Sequence, residues 1–331
     1  MRHRSTLSEV ALRAGVSPTT VSHALSGKRP VAAGTRESIE RVARELRYRP
    51  NAVARSLRTR RSHTAGLIIP DISNPVYPRL ARGLQDELAA AGCHVLVCNT
   101  DHRASNELDY LVDVLDRQVD GVVIVAFHLS TEDLAQVPLA DVPLVSIGPR
   151  LDHPSVDLVR TDDSAGARDA TRHLLELGHT VGLIGGAAGL PPSESRAAGY
   201  REALAAAGAA FRPELVVNGD FTRASGAAAM RVMAALPDRP TAIFCANDLM
   251  AIGAMDAARE LGLDVPRDVA LVGYDDIEAA GLVTPALTTV HLPADELGAA
   301  AGRLLRDRMD GYAGPRREVV VSHEFVQRES A

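Results

Sequence analysis

The sequence predicts an α/β protein with a three-helix head of the helix-turn-helix kind, a short hinge helix, and then two doubly wound α/β lobes. Three observations predict it. Two short helical segments, each opened by a capping hydroxyl, meet at Gly15 near the N-terminus. From Thr64 onward, short apolar runs alternate with amphipathic stretches, the pattern of parallel sheets covered by helices. Charge also splits along the chain: residues 1–61 hold 14 Lys and Arg against 4 Asp and Glu, and the remainder hold 22 against 38. A basic head on an acidic body is the layout of a nucleic-acid module joined to a solubilising body that itself repels DNA.

The bulk numbers narrow the class. A chain of 331 residues has room for two or three domains, and 46% hydrophobic with 24% charged residues is a globular composition. No apolar run is long enough to span a bilayer, and Met1-Arg-His-Arg4 lacks the apolar core of a signal peptide, so the expected location is the cytoplasm, with no membrane partner. The three cysteines make no disulfide framework. Cys93 and Cys98 lie in or beside an apolar strand pattern and read as small buried hydrophobes, not as a metal site.

The head begins at Thr6-Leu-Ser-Glu9, a capping box. Leu7, Val10, Ala11 and Ala14 give this helix its apolar side, and Gly15 supplies the turn. Ser17 caps the second helix, and Pro18 stands in its first turn, where a missing N–H costs nothing. Val21 and Leu25 face inward, while Thr19, Thr20, Ser22 and His23 offer short hydrogen-bonding groups to a groove. A third helix, expected from Arg36 to about Leu46 with Thr35 as cap, buries Ile39, Val42, Ala43 and Leu46. After Tyr48-Arg-Pro50, Asn51 can cap a segment running to Leu57, too short to be a stable helix alone.

Val10-Ala-x-x-Ala14-Gly-Val-Ser17, Thr20-Val-Ser22 and Arg49-Pro-Asn-x-x-Ala54-x-x-Leu57 resemble the lactose/galactose repressor family (LacI/GalR). The resemblance implies a cytoplasmic homodimer that binds palindromic double-stranded DNA and answers to a small effector. It implies that Thr6, Ser17, Pro18, Thr19, Thr20, Ser22, His23, Asn51, Ala54 and Leu57 make the DNA contact. Pro18 and Thr19 then stand where family members vary to read different operators. His23 stands where Arg or His is usual, and it lacks the two-pronged fork that arginine offers guanine. Leu57 would be the apolar wedge that kinks the duplex from the minor groove.

In the body, strands are expected at Ala65–Ile69, Val95–Cys98, Val122–Val125, Leu144–Ile147, Val181–Ile184, Ala242–Cys245 and Val269–Val272. Helix stripes are expected at Leu108, Leu111, Val112, Leu115 and at Ala167, Ala170, Leu174, Leu177. Two such lobes resemble periplasmic sugar-binding proteins. With the family's three crossings, the domains are 1–50, a hinge and linker at 51–61, and a body at 62–331. Within the body, lobe 1 is about 62–161 with 291–319, and lobe 2 is about 162–290 with 320–331.

Ligands of wound sheets sit beyond the carboxyl ends of the strands. The residues just after the strands include Asp71, Asn74, Tyr77, Asp101, Arg196, Asn247 and Asp275, with Phe221 in the loop Gly219–Thr222. Carboxylates, amides, a guanidinium and an aromatic face suit a sugar or polyol. Phe221 would stack equally well on a purine, so a purine- or other metabolite-responsive regulator is the alternative. The resemblance marks Arg196, Asn247 and Asp275 as effector contacts. Asp162-Asp163 reads as a helix cap and stays outside the expected site.

Neither a P-loop, a dinucleotide fingerprint nor a nucleophile elbow is present, so an enzyme is not expected, and no cofactor or metal is implied. His173 and His179 flank a helix end and read as packing groups. The C-terminal segment carries no heptads, which favours a dimer over a tetramer.

Overall fold

The computed structural model describes residues 5–26, 29–48, 61–137, 139, 142–151 and 153–331, and it separates into two compact units, 1–62 and 63–331. The expected hinge, with Asn51, Ala54 and Leu57, lies outside the described residues.

The head has three helices: α1 (Leu7–Ala14), α2 (Pro18–Ser26) and α3 (Ala33–Glu45). Thr6 closes the capping box, accepting the Glu9 N–H at 3.3 Å and donating its own N–H to the Glu9 carboxylate at 2.8 Å. Gly15 takes φ +67°, where a side chain would be strained. The Ser17 hydroxyl accepts the Thr20 N–H at 3.1 Å and starts α2. Val10, Ala11, Val21, Ala24, Ile39, Val42 and Ala43 form a core internal to the head. The third helix starts three residues earlier than its sequence pattern suggests, and Thr35 lies within it. Val31 packs on the head core, so the chain enters the helix directly after it, with the Ala32 carbonyl accepting from Arg36.

The body contains two parallel sheets. The first has the order β11-β5-β4-β3-β1-β2, from β1 (Thr64–Ile69), β2 (His94–Asn99), β3 (Gly121–Val125), β4 (Leu144–Ile147), β5 (Val156–Arg160) and β11 (Glu318–Val320). Its helices are α4 (Val76–Ala89), α5 (Ala104–Asp116), the single turn α6 (Thr131–Leu134) and α11 (Ala294–Met309). The second sheet has the order β7-β6-β8-β9, from β6 (Val181–Gly185), β7 (Val216–Asn218), β8 (Ala242–Cys245) and β9 (Ala270–Val272). It is covered by α7 (Asp163–Glu176), α8 (Pro191–Ala206), α9 (Arg223–Ala234) and α10 (Asp248–Glu260). An antiparallel pair, β10 (Thr289–His291) with β12 (Glu324–Val326), lies along the crossings from one lobe to the other. The chain makes those crossings after β5, between β10 and α11, and between β11 and β12.

Each expected strand is present, with ends that differ by a residue or so. The expectation misses β5, β7, β10, β11 and β12. In β5 the alternation is broken by Asp157, which is fully buried. Its carboxylate receives Arg308 Nη2 and Arg317 Nη2, each at 2.8 Å, and the Arg317 backbone N–H at 2.8 Å. Two stripes also need correction. On α5, Val114 faces the core and Val112 is exposed; on α7, Thr171 is buried and Leu177, just past the helix end, is exposed. Cys93 is buried as expected, but Cys98 is only half-buried on the edge strand β2; Cys245 is buried too.

Glycines set the closest helix crossings. A Cβ at Gly83 of α4 would meet the Asp295 carbonyl of α11, and one at Gly298 of α11 would meet the Leu80 carbonyl of α4. Gly226 of α9 and Gly253 of α10 repeat the arrangement in lobe 2, against the carbonyls of Met250 and Arg223. Backbones therefore touch where side chains would hold them apart.

Candidate functional site

A cleft of about 880 Å³, open in part to solvent, lies beyond the carboxyl ends of the strands of the body. Lobe 1 contributes Asn74, Tyr77, His102, Phe127 and Arg160; lobe 2 contributes Asp163, Ser195, Arg196, Phe221 and Asp275.

Arg196, on α8, is the electrostatic centre, only 5% exposed. Its Nε and Nη2 each lie 2.8 Å from Asp163 Oδ1, and Nη1 lies 3.3 Å from Asp275 Oδ1. Nη1 also donates to the Ala246 carbonyl, and the guanidinium stands 3.7 Å over the ring centroid of Tyr274. Burial alone would favour the neutral form, but the carboxylates of Asp163 and Asp275 outweigh it and hold Arg196 charged. Asp275 is 4% exposed, and burial pushes its carboxyl up to about 7 despite Arg196. Burial likewise raises the Tyr77 and Tyr274 hydroxyls well above the ordinary phenol range.

A raised carboxyl has a defined pH signature. The unfolded chain releases the Asp275 proton near the ordinary carboxylate value, and the folded chain near 7. Asp275 therefore opposes folding progressively as pH rises between those values, by at most about 1.4 kcal/mol per pH unit. Denaturation of Asp275→Asn and the parent at several pH values should show the variant gaining relative stability from pH ~5 to ~7. Parallel curves would assign the proton elsewhere.

Five of the expected contacts, Asn74, Tyr77, Arg196, Phe221 and Asp275, line this cleft. Asp71, Asp101 and Asn247 are not among its lining residues. Asp71 turns on its own loop, accepting the Ser73 N–H at 2.8 Å, and Asp101 accepts from the Asn99 amide. Short acids at strand ends commonly cap their own turns in this way. Asn247 is 1% exposed; it caps α10 through the Met250 N–H at 2.9 Å and donates to the Phe221 carbonyl at 3.0 Å. It thus positions Phe221, which has φ +68° and a ring set against Gly186, where no Cβ would fit.

Sequence reasoning missed Asp163, His102 and Phe127. Of the two acids set aside as a cap, Asp162 is the cap, accepting the Ala165 N–H at 3.0 Å, and Asp163 turns to Arg196. One signal was present: two acids at one helix start leave one without a capping role. Phe127 is held by Glu107, fully buried on α5, whose carboxylate accepts the N–H groups of Phe127 at 3.0 Å and Leu129 at 2.7 Å. His173 and His179 pack as expected, His173 against the Phe325 ring and His179 beside Thr241.

On the head, the Thr6 and Ser17 hydroxyls cap α1 and α2, and the Thr20 hydroxyl lies 2.9 Å from that of Ser17. Pro18 and Thr19 are exposed on the first turn of α2, with Ser22 and His23 half-buried on the next. Among the described residues, no helix is long and apolar enough to cross a membrane, and no cluster suited to a metal ion is found.

Comparison with known proteins divides along the same two units. Residues 6–51 match the bacterial regulatory proteins of the lacI family, and residues 171–331 match a periplasmic binding protein-like domain. The HTH-type transcriptional repressor PurR of Aliivibrio salmonicida is 33% identical over 328 residues, 98% of each chain. The HTH-type transcriptional repressor CytR of Escherichia coli (strain K12) is 35% identical over 315 residues, 93% of this chain and 90% of that one. Among solved structures, a complex of the transcriptional regulator CelR with cellobiose is 35% identical, with a TM-score of 0.74 over 99% of this chain and 100% of that one. The lac repressor dimer bound to operator and the anti-inducer ONPF is 27% identical, with a TM-score of 0.88 over 99% of each chain.

Proposed function

The chain belongs to the lacI family of bacterial regulatory proteins, and on that premise we propose that it is a cytoplasmic homodimeric repressor whose grip on a palindromic operator is set by an uncharged sugar or polyol held in the cleft. It is a DNA-binding transcription regulator, and no enzymatic step is assigned to it.

One observation carries the reading of the ligand. Each arginine that lines the cleft is already engaged by a carboxylate: Arg196 by Asp163 and Asp275, and Arg160 by Glu318 at 2.7 Å. Among the described lining residues no arginine is left unpaired for an anionic ligand, and redirecting the buried Arg196 to one would be costly. Hydroxyls that donate to Asp163 and Asp275, with a ring face on Phe221, suit what remains. A purine or nucleoside is the second reading, favoured by the aromatic faces of Phe221 and Phe127.

In the proposed mechanism, the ligand draws the lobes together about the three crossings, and the change in the body alters how two hinges meet on DNA. The domain division proposed is a head at 1–50, a hinge at 51–61 and a body at 62–331. The proposed DNA contacts are Thr19, Ser22 and His23 on α2, with Asn51, Ala54 and Leu57 from the hinge. The test is operator binding against salt. Affinity should fall at least about 100-fold between ~50 and ~200 mM salt, because the basic head displaces counterions from many phosphates. A flat titration would remove the head as the contact surface. Thermal shifts with cellobiose, ribose and adenosine separate the two readings of the ligand.

A further inference from the structure

Among the described residues lining the cleft, His102 carries a buried hydrogen-bonding atom with no partner in the protein, its Nδ1. Such an atom costs stability unless something meets it. The backbone around it is also strained. Asp101 and His102 are successive non-glycine residues at φ +53° and +56°. Phe221 and Asp275, which line the cleft from lobe 2, share that left-handed signature at φ +68° and +111°. Strain of this kind persists where surrounding structure over-determines it, and it gathers at binding sites.

His102 is over-determined. Its carbonyl oxygen lies 3.1 Å from His128 Nε2, and its ring stacks on Phe127 with centroids 5.8 Å apart and planes 26° apart. Phe127 and His128 are in turn fixed by backbone N–H bonds to the Glu107 carboxylate. The imidazole is thus placed rigidly in the wall of the cleft, with its Nδ1 unpaired. Burial lowers its proton affinity, against the nearby carboxylates, so the neutral ring is favoured.

We propose that His102 is a ligand-contacting residue that, with Phe127, sets which ring the cleft accepts, its Nδ1 hydrogen-bonding a hydroxyl or N–H on an uncharged ring. This rests on the reading of the cleft as the effector site. Lobe 2 then supplies the carboxylate and aromatic contacts common to many rings, and lobe 1 supplies the discriminating hydrogen bond.

The test is calorimetric titration of the full chain with cellobiose, ribose and adenosine, for the parent, His102→Ala and His102→Asn. Asparagine tolerates the left-handed backbone, so it keeps the fold if alanine does not. The best-bound probe should lose about tenfold in affinity in the alanine variant and less in the asparagine variant. The order of preference among the probes should also change. The ligand-free melting temperature of His102→Asn should stay within about 2 °C of the parent, since the residue serves the ligand more than the fold. Affinities within about twofold of the parent in the folded variants would remove His102 from the contact while leaving the effector site standing. Binding of none of the three probes to the parent would overturn the uncharged-ring reading and the proposal with it.

Discussion

Replacing Arg196 with alanine is expected to weaken effector binding by on the order of 100-fold and also to destabilise the body by about 3–5 kcal/mol. The two effects have one cause. Arg196 lies between Asp163 and Asp275, whose side chains are 19% and 5% exposed, and truncation leaves both carboxylates without their counter-charge. The carboxylates that should receive ligand hydroxyls then repel each other and lose their orientation. Asp275 relieves part of the cost by keeping its proton, because burial has already pushed its carboxyl up to about 7. The stability loss should therefore be larger at pH ~8 than at pH ~6, and denaturation at the two values reads that difference directly. A parental dose response to effector in folded Arg196→Ala would remove the residue from the site.

The second large effect comes from a residue outside the cleft lining. Asp157→Ala should cost about 3–5 kcal/mol, because two arginines lose the carboxylate that ties α11 and β11 to β5. Arg308 and Arg317 keep side-chain exposures of 15% and 22%, so water recovers part of the loss. Asp157→Asn keeps the shape and some hydrogen bonds, and should cost less. Burial opposes the Asp157 carboxylate, but hydrogen bonds from Arg308 and Arg317 outweigh it and hold its pKa below the usual range. Its stabilisation is therefore present above the unfolded value near 4 and lost as pH falls through the native one. Chemical denaturation at neutral pH is the check. A change under about 1 kcal/mol would make the cluster a surface network with no structural weight.

The parts of the fold that local chemistry decides were readable in the sequence. The capping box at Thr6, the turn at Gly15 and the start of α2 at Ser17 each depend on residues within a turn of one another. Central strands were readable because β-branched runs need no partner to be recognised. β5 was not, since its buried Asp157 makes sense only beside Arg308 and Arg317, some 150 residues later. The cleft divides in the same way. Tyr77, Arg196, Phe221 and Asp275 are found by looking beyond the carboxyl end of each strand. Asp163, His102 and Phe127 depend on which way a loop turns, and Glu107 and Arg196 decide that from other elements.

The paired glycines at the helix crossings have a mechanical consequence. Where Gly83 meets α11 and Gly253 meets α9, helix backbones rest on one another without the compliant layer that side chains would provide. Each lobe is accordingly stiff, and work done on it by a bound molecule is not absorbed as local deformation. In the proposed mechanism it would be passed on as rotation about the three crossings between the sheets. The lobes are then the arms of a lever, and the crossings are its pivot.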